Sequence, residues 1–139
     1  MDRTRLRCYV SPDGDDLICD WYAGEGDAVQ AAFIAILEIL RSLPIHQWPE
    51  SLFKNLDNRP GSKCAGLAEI ILDDVDDSTY FYRILGFNGP DMSDFTMLYV
   101  FNKKSSARYD GPCEVAQVLK KNVEQSWNQS RACQCAPSE

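Results

Sequence analysis

Three apolar runs, "GLAEIIL" (66–72), "YFYRILGF" (80–87) and "FTMLYVFN" (95–102), follow one another with only short polar links between them. Parallel strands need a crossover of a dozen or more residues, and these links are too short for one. The three runs therefore predict an antiparallel meander. The links are rich in Asp, Gly, Pro and Ser, residues that favour tight turns.

Around this centre the helical periodicities fall into place. Residues 27–42, "DAVQAAFIAILEILRS", repeat apolar side chains at spacings of three and four: Val29, Phe33, Ile36, Leu37 and Leu40. Asp27 is placed to cap this helix, and Pro44 ends it. Ala32, Ile34, Ala35 and Ile39 widen the stripe and predict cover on more than one side. A shorter helix is expected at 49–56, begun by Pro49. Residues 113–127 predict an amphipathic helix whose buried stripe is Val115, Val118, Leu119 and Val123. Residues 5–10 suggest a first strand, and 17–22 fit either a strand or the start of a helix. Residues 57–63 read as a loop. The order is strand, helix, helix, three strands, helix. That is an α+β plan in one domain, 1–127, followed by a polar C-terminal tail, 128–139.

The composition, 45% hydrophobic and 25% charged, is that of a globular chain. No apolar run approaches the roughly 20 residues that span a bilayer, and "MDRTRLRCYV" lacks the apolar centre of an export signal. The expected location is the cytoplasm, with no membrane partner. Six cysteines, Cys8, Cys19, Cys64, Cys113, Cys133 and Cys135, are then expected to stay reduced. Cys133 and Cys135 form a C-x-C, but two soft ligands alone do not close a tetrahedral zinc site. They read as incidental thiols on a loose tail. No motif implies a metal or an organic cofactor.

A net charge of −7 excludes binding to nucleic acid through a broad basic surface. Local cations remain to be explained. Arg83 interrupts an apolar strand, where alternation places it with Phe81, Leu85 and Phe87 and opposite Tyr80, Tyr82 and Ile84. On the next strand Phe95, Met97, Tyr99, Phe101 and Lys103 share a face. Both faces are largely apolar, so these strands are expected to be covered on both sides. A guanidinium there must reach solvent, a carboxylate such as Glu69, or an anion such as phosphate. Lys103 and Lys104 end the last strand, and antiparallel pairing brings them toward Arg83. Tyr109 follows in the loop before the final helix. His46 sits apart, in "PIHQW".

Taken together, "GLAEIIL", "YFYRILGFNGPDMSDFTMLYVFNKK", the tyrosine beyond it and "EVAQV" resemble the phage-derived HigB-like toxins of the RelE/ParE superfamily. The resemblance covers roughly residues 5–121 and lies in the order and spacing of short motifs. It implies a small antiparallel sheet, two N-terminal helices packed on one face and a C-terminal helix near the other. It implies the toxin half of a toxin–antitoxin pair, with a helix-turn-helix antitoxin as partner and the ribosome and its messenger RNA as target. Self-association as a homodimer is compatible with it. The catalytic residues carried over by motif are Arg83, Lys103 and Lys104, with Tyr109 matched loosely. Arg83 and Lys104 would stabilise the phosphate, and Lys103 or Tyr109 would move protons, in metal-free cleavage by the RNA 2′-hydroxyl.

Two departures stand out. Ile71 occupies a position where many relatives carry an arginine, and Asp73, Asp74, Asp76 and Asp77 crowd the next turn, which reads as solvated. Three functions stay open: a ribosome-dependent endoribonuclease, a catalytically degenerate protein-binding module on the same fold, and an unrelated α+β domain of a mobile element. An Arg83 locked in a salt bridge points to the second.

Overall fold

The computed structural model describes residues 3–56, 59, 61–74, 79–103 and 109–135. Its strands are β1 (Arg5–Tyr9), β2 (Phe53–Asn55), β3 (Ala68–Asp73), β4 (Phe81–Asn88), β5 (Asp94–Asn102) and β6 (Ser130–Ala132). Its helices are α1 (Leu17–Ala23), α2 (Asp27–Arg41) and α3 (Asp110–Gln125). The expected meander is the centre of one sheet with strand order β2-β3-β4-β5-β1-β6. Every neighbouring pair is antiparallel except β1 and β5, which run parallel. The architecture is α+β, and the described helices are none of them long and apolar enough to cross a membrane.

The sheet separates two cores. Ile84 and Leu85 are adjacent on β4 and point to opposite faces, one into each core. On the Ile84 side lie Ile18 of α1 and Val29, Phe33, Leu37 and Leu40 of α2. On the Leu85 side lie Cys113, Ala116 and Val123 of α3. Phe33, Leu37 and Leu40 are fully buried, each contributing about 1.5–3 kcal/mol by removal from water.

Local chemistry explains the helix ends. Residues 17–22 become helix because the Asp16 carboxylate accepts the Cys19 N–H at 2.9 Å, capping α1. The N-cap of α2 is Gly26 and not Asp27, which stands in the first turn where the helix dipole favours a carboxylate. Only one side of α2 is covered: Ala31, Ala35, Glu38 and Ile39 are exposed. The stripe of α3 is also rotated from the expected one. Val115 and Val118 are exposed, at 40% and 60%, because Cys113 turns inward to its disulfide with Cys64.

The expected helix at 49–56 is instead a turn leading into β2. Phe53 packs edge-on against Trp48 and Phe95, and β2 satisfies the outer edge of β3. The strict alternation expected along β5 is broken by a bulge. Leu85 pairs with Tyr99 but Gly86 pairs with Met97, so Leu98 is the extra residue. Phe95 and Met97 therefore face one core, while Leu98, Tyr99 and Phe101 face the other.

Residues 128–139, expected as a loose tail, are ordered as far as they are described. A 3-10 turn at Trp127–Gln129 leads into β6, which pairs with β1. Tyr9 donates its hydroxyl to Gln129 Oε1 at 2.9 Å, and the Thr96 and Ser130 hydroxyls meet at 2.8 Å. The expectation of six reduced thiols is overturned as well. Cys8–Cys133, Cys19–Cys135 and Cys64–Cys113 are disulfides. Spacing alone did not reveal these pairs because two of them join the chain's opposite ends, brought together by β1–β6 pairing.

Gly86 is the tightest point of the sheet. A Cβ there would stand 2.6 Å from Phe95 Cε2 and closer still to the Thr96 carbonyl oxygen. We expect Gly86→Ala to destabilise the oxidised chain by about 1–3 kcal/mol, measured by urea unfolding. An unchanged midpoint would show that the bulge yields freely.

Candidate functional site

Arg83 lies in the middle of the meander, directly opposite Ile71 on β3 and Phe101 on β5. Period-two alternation puts Glu69, Ile71 and Asp73 of β3 on its face. The side chain is 8% exposed as a residue. Its Nη1 donates to Asp73 Oδ1 at 2.5 Å and to the Tyr82 carbonyl at 3.0 Å. Its Nε stands 3.6 Å from Glu69 Oε1, close enough for an ion pair though Nε makes no hydrogen bond. Burial pulls the guanidinium pKa down, but the Asp73 hydrogen bond and the charges of Asp73, Tyr109 and Glu69 outweigh it and raise the value above the ordinary one. Arg83 is a held cation.

Tyr109 closes the other side of the cluster. It precedes α3, and its hydroxyl donates to the same Glu69 Oε1 at 2.7 Å. Its ring meets Phe101 edge-on at 5.3 Å, and Lys103 Nζ lies over the ring at 5.5 Å. Lys103 is exposed, and its backbone N–H donates to Phe81 O at 2.7 Å, so the strand pairing fixes where the lysine starts. Burial first, and then the hydrogen bond to Glu69, push the Tyr109 phenol up to about 12. At neutral pH it is a proton donor and not a base.

Three of the four residues carried over by motif therefore meet: Arg83, Lys103 and Tyr109. Lys104 lies outside the described residues, as do Asp76, Asp77 and Arg108. Ile71 brings no charge to this face. Two carboxylates, Glu69 and Asp73, balance the cations of Arg83 and Lys103, leaving the cluster without formal charge. Glu69 was among the partners that the sequence suggested. Asp73 read as part of a solvated turn, yet it belongs to β3 and binds Arg83. The signal was present in "EIILD", where Glu69 and Asp73 stand four apart on one strand face. Only Asp74 of the described turn residues bonds locally as expected, accepting from the Thr79 N–H at 3.1 Å and its hydroxyl at 2.5 Å.

A cleft of about 1080 Å³ opens elsewhere. Arg3, His46, Trp48, Lys54 and Asn88 are among its lining residues, and none of Arg83, Glu69 or Tyr109 reaches it. His46 is thus remote from the cluster.

Chemically, the cluster offers a buried arginine with satisfied charge, a phenol held in its neutral form and one exposed ammonium. A phosphate at Arg83 would compete with Asp73 and Glu69 for the guanidinium, and breaking a buried pair costs about 3–5 kcal/mol. No protein-family model matches the chain, and no curated protein matches it.

Tyr109 supplies a pH test. Its pKa is raised in the fold from the ordinary 10.0 to about 12, so its contribution is complete below pH 10 and is lost as pH rises toward 12. We expect Tyr109→Phe to cost about 1–2 kcal/mol at pH 7, since the hydrogen bond to Glu69 is partly exposed. Unfolding measured between pH 9 and about 12 should show the gap between variant and wild type closing. A gap constant across that range would mean that Tyr109 contributes packing alone.

Proposed function

We propose that the chain is a RelE/ParE-like domain of the HigB-like kind that acts by holding a protein partner and not by cutting RNA. The observation that carries this reading is Arg83. A phosphate-binding arginine must present its donors, and this one is 8% exposed with its charge already answered by Asp73 and Glu69. Ile71 beside it adds no second cation.

The fold half of the proposal is supported by the element order and by the helices. α1 and α2 lie on one face of the sheet and α3 on the other, although the second helix expected, 49–56, is not one of them. The functional half is supported by charge. A chain of net charge −7 repels an RNA polyanion and attracts a basic protein surface. A helix-turn-helix antitoxin, whose own task is to bind DNA, is a partner of that chemistry. The three disulfides are those of a chain in an oxidising setting, and a cytoplasmic location would require them to be reduced, since glutathione and thioredoxin keep cytosolic thiols reduced.

A second reading, a ribosome-dependent endoribonuclease, is favoured by the convergence of Arg83, Tyr109 and Lys103 on one face. In that case Tyr109 would protonate the leaving 5′-oxygen, Lys103 would neutralise the phosphorane, and Glu69 would stand nearest as base.

The two readings part in a translating extract. We expect wild-type protein to leave messenger RNA intact, its induction alone to leave growth unchanged, and a co-expressed neighbouring helix-turn-helix protein to copurify with it. Messenger cleavage that falls by at least about tenfold in Tyr109→Phe and in Lys103→Ala would overturn the binding proposal and establish the nuclease.

A further inference from the structure

Two disulfides that tie the two ends of the chain together, Cys8–Cys133 and Cys19–Cys135, come close in the fold. Cys8 lies on β1, Cys19 in α1, and Cys133 and Cys135 follow β6. Cys8 and Cys133 have their Cα atoms 5.0 Å apart, and Cys19 and Cys135 5.5 Å apart. The two bonds are neighbours. Cys8 Sγ, Cys19 Sγ and a carboxylate oxygen of Asp16 lie within 4.8 Å of one another. Cys8 is fully buried, Cys133 is 8% exposed and Asp16 5% exposed, while Cys19 and Cys135 are half-buried.

Asp16 is the second observation. Its Oδ1 caps α1 through the Cys19 N–H, while its Oδ2 is buried with no hydrogen-bond partner. An orphaned carboxylate oxygen beside two sulfurs is an unusual thing for a fold to keep, because burying it unpaired is costly. The backbone favours negative sulfur here: the Cys135 N–H points at Cys19 Sγ at 3.1 Å. The C-x-C lacked two soft ligands in the sequence, and the fold supplies them from β1 and α1.

We propose that in the reduced protein Cys8, Cys19, Cys133 and Cys135 bind one zinc ion tetrahedrally, with the Asp16 carboxyl against the site. A dithiol reductant delivers two electrons and two protons to each disulfide and is itself oxidised to a disulfide. The four thiols then lose their protons to solvent as the zinc–sulfur bonds form, with no further change in oxidation state. Zinc–thiolate bonds of about 2.3 Å set the sulfurs roughly 3.8 Å apart. Cys8 Sγ and Cys19 Sγ, within 4.8 Å of each other, stand near that separation. The third disulfide, Cys64–Cys113, lies in the opposite core and takes no part. The proposal depends on these side chains alone and is independent of whether the protein cuts RNA or holds a partner.

The test uses the full chain, reduced without oxygen by a phosphine that does not bind metal, and titrated with cobalt(II) and then zinc. The expected result is one cobalt per chain, with strong thiolate-to-cobalt charge transfer and the visible bands of a tetrahedral ion, displaced by one zinc. Cys64→Ser with Cys113→Ser should bind as the wild type does. Cys133→Ser with Cys135→Ser should weaken binding by at least about 100-fold. If the reduced chain loses structure, zinc should restore its circular dichroism, because ligation and folding are linked. A reduced chain that takes up no stoichiometric metal, whether folded or left unfolded in zinc, overturns the proposal. So does a cobalt spectrum without tetrahedral thiolate bands, or binding that depends on Cys64 and Cys113.

Discussion

A strand covered on both faces has no solvent to offer a guanidinium, and β4 is such a strand. Ile84 faces the α1–α2 core, Leu85 faces the α3 core, and Arg83 sits just before them. Its charge cannot be shed, so it has to be met by protein. Glu69 and Asp73 meet it from β3, and this ties the register of the sheet to electrostatics as well as to packing. A slip of β3 by one residue would turn both carboxylates into the α1–α2 core and Ile70 and Leu72 out of it. Removing one carboxylate would leave a buried cation half answered. The cluster thus specifies the central pairing, and its chemistry follows from that duty.

Much of the fold was legible because its causes are local. The short links force β3, β4 and β5 into a meander, and the spacing of Val29, Phe33, Leu37 and Leu40 forces α2 against it. Where the reading failed, the cause was non-local. Leu98 is bulged because Gly86 brings the β5 backbone too close for a regular ladder, and no period in the string announces that. Residues 53–55 are a strand because β3 has an edge to fill. α3 is rotated because Cys113 is tied to Cys64, so Val115 and Val118 are left outside while Val123 stays buried. The C-terminal residues looked expendable because β6 is only three residues long and has meaning only beside β1.

The candidate site was half legible for a related reason. Antiparallel pairing is enough to bring the end of β5 to the start of β4, and so Lys103 toward Arg83. It does not say what neutralises them. Asp73 sits at the boundary between strand and turn, and a carboxylate there reads equally as solvated or as paired. Tyr109 gains its place from Phe101 and Glu69, contacts made across three separate segments. Of the cations that looked like a phosphate cradle along the string, the two described are, in space, Arg83 in a buried ion pair and Lys103 exposed over an aromatic ring. The acidity of the chain no longer conflicts with them, because part of that acidity is their counter-charge.

The same distinction between local and distant causes bears on how the molecule is closed. A sheet edge left bare invites pairing with other chains, and short edge strands are one remedy. Here β6 covers β1 with three residues, too few to hold by themselves against the entropy of a free chain end. Hydrogen bonds from Tyr9 to Gln129 and between the Thr96 and Ser130 hydroxyls help, but each is worth only about 0.5–1.5 kcal/mol. The decisive anchors are Cys133 and Cys135, which flank the last turn and fasten it to β1 and α1 at once. A covalent bond does this in an oxidising setting. In a reducing one the anchors are lost unless something else joins the sulfurs, and the buried Asp16 oxygen then becomes a second unmet demand in the same pocket. Under the zinc proposal, one divalent ion held by the four thiolates would rejoin the C-terminal segment to β1 and α1 and keep the edge covered.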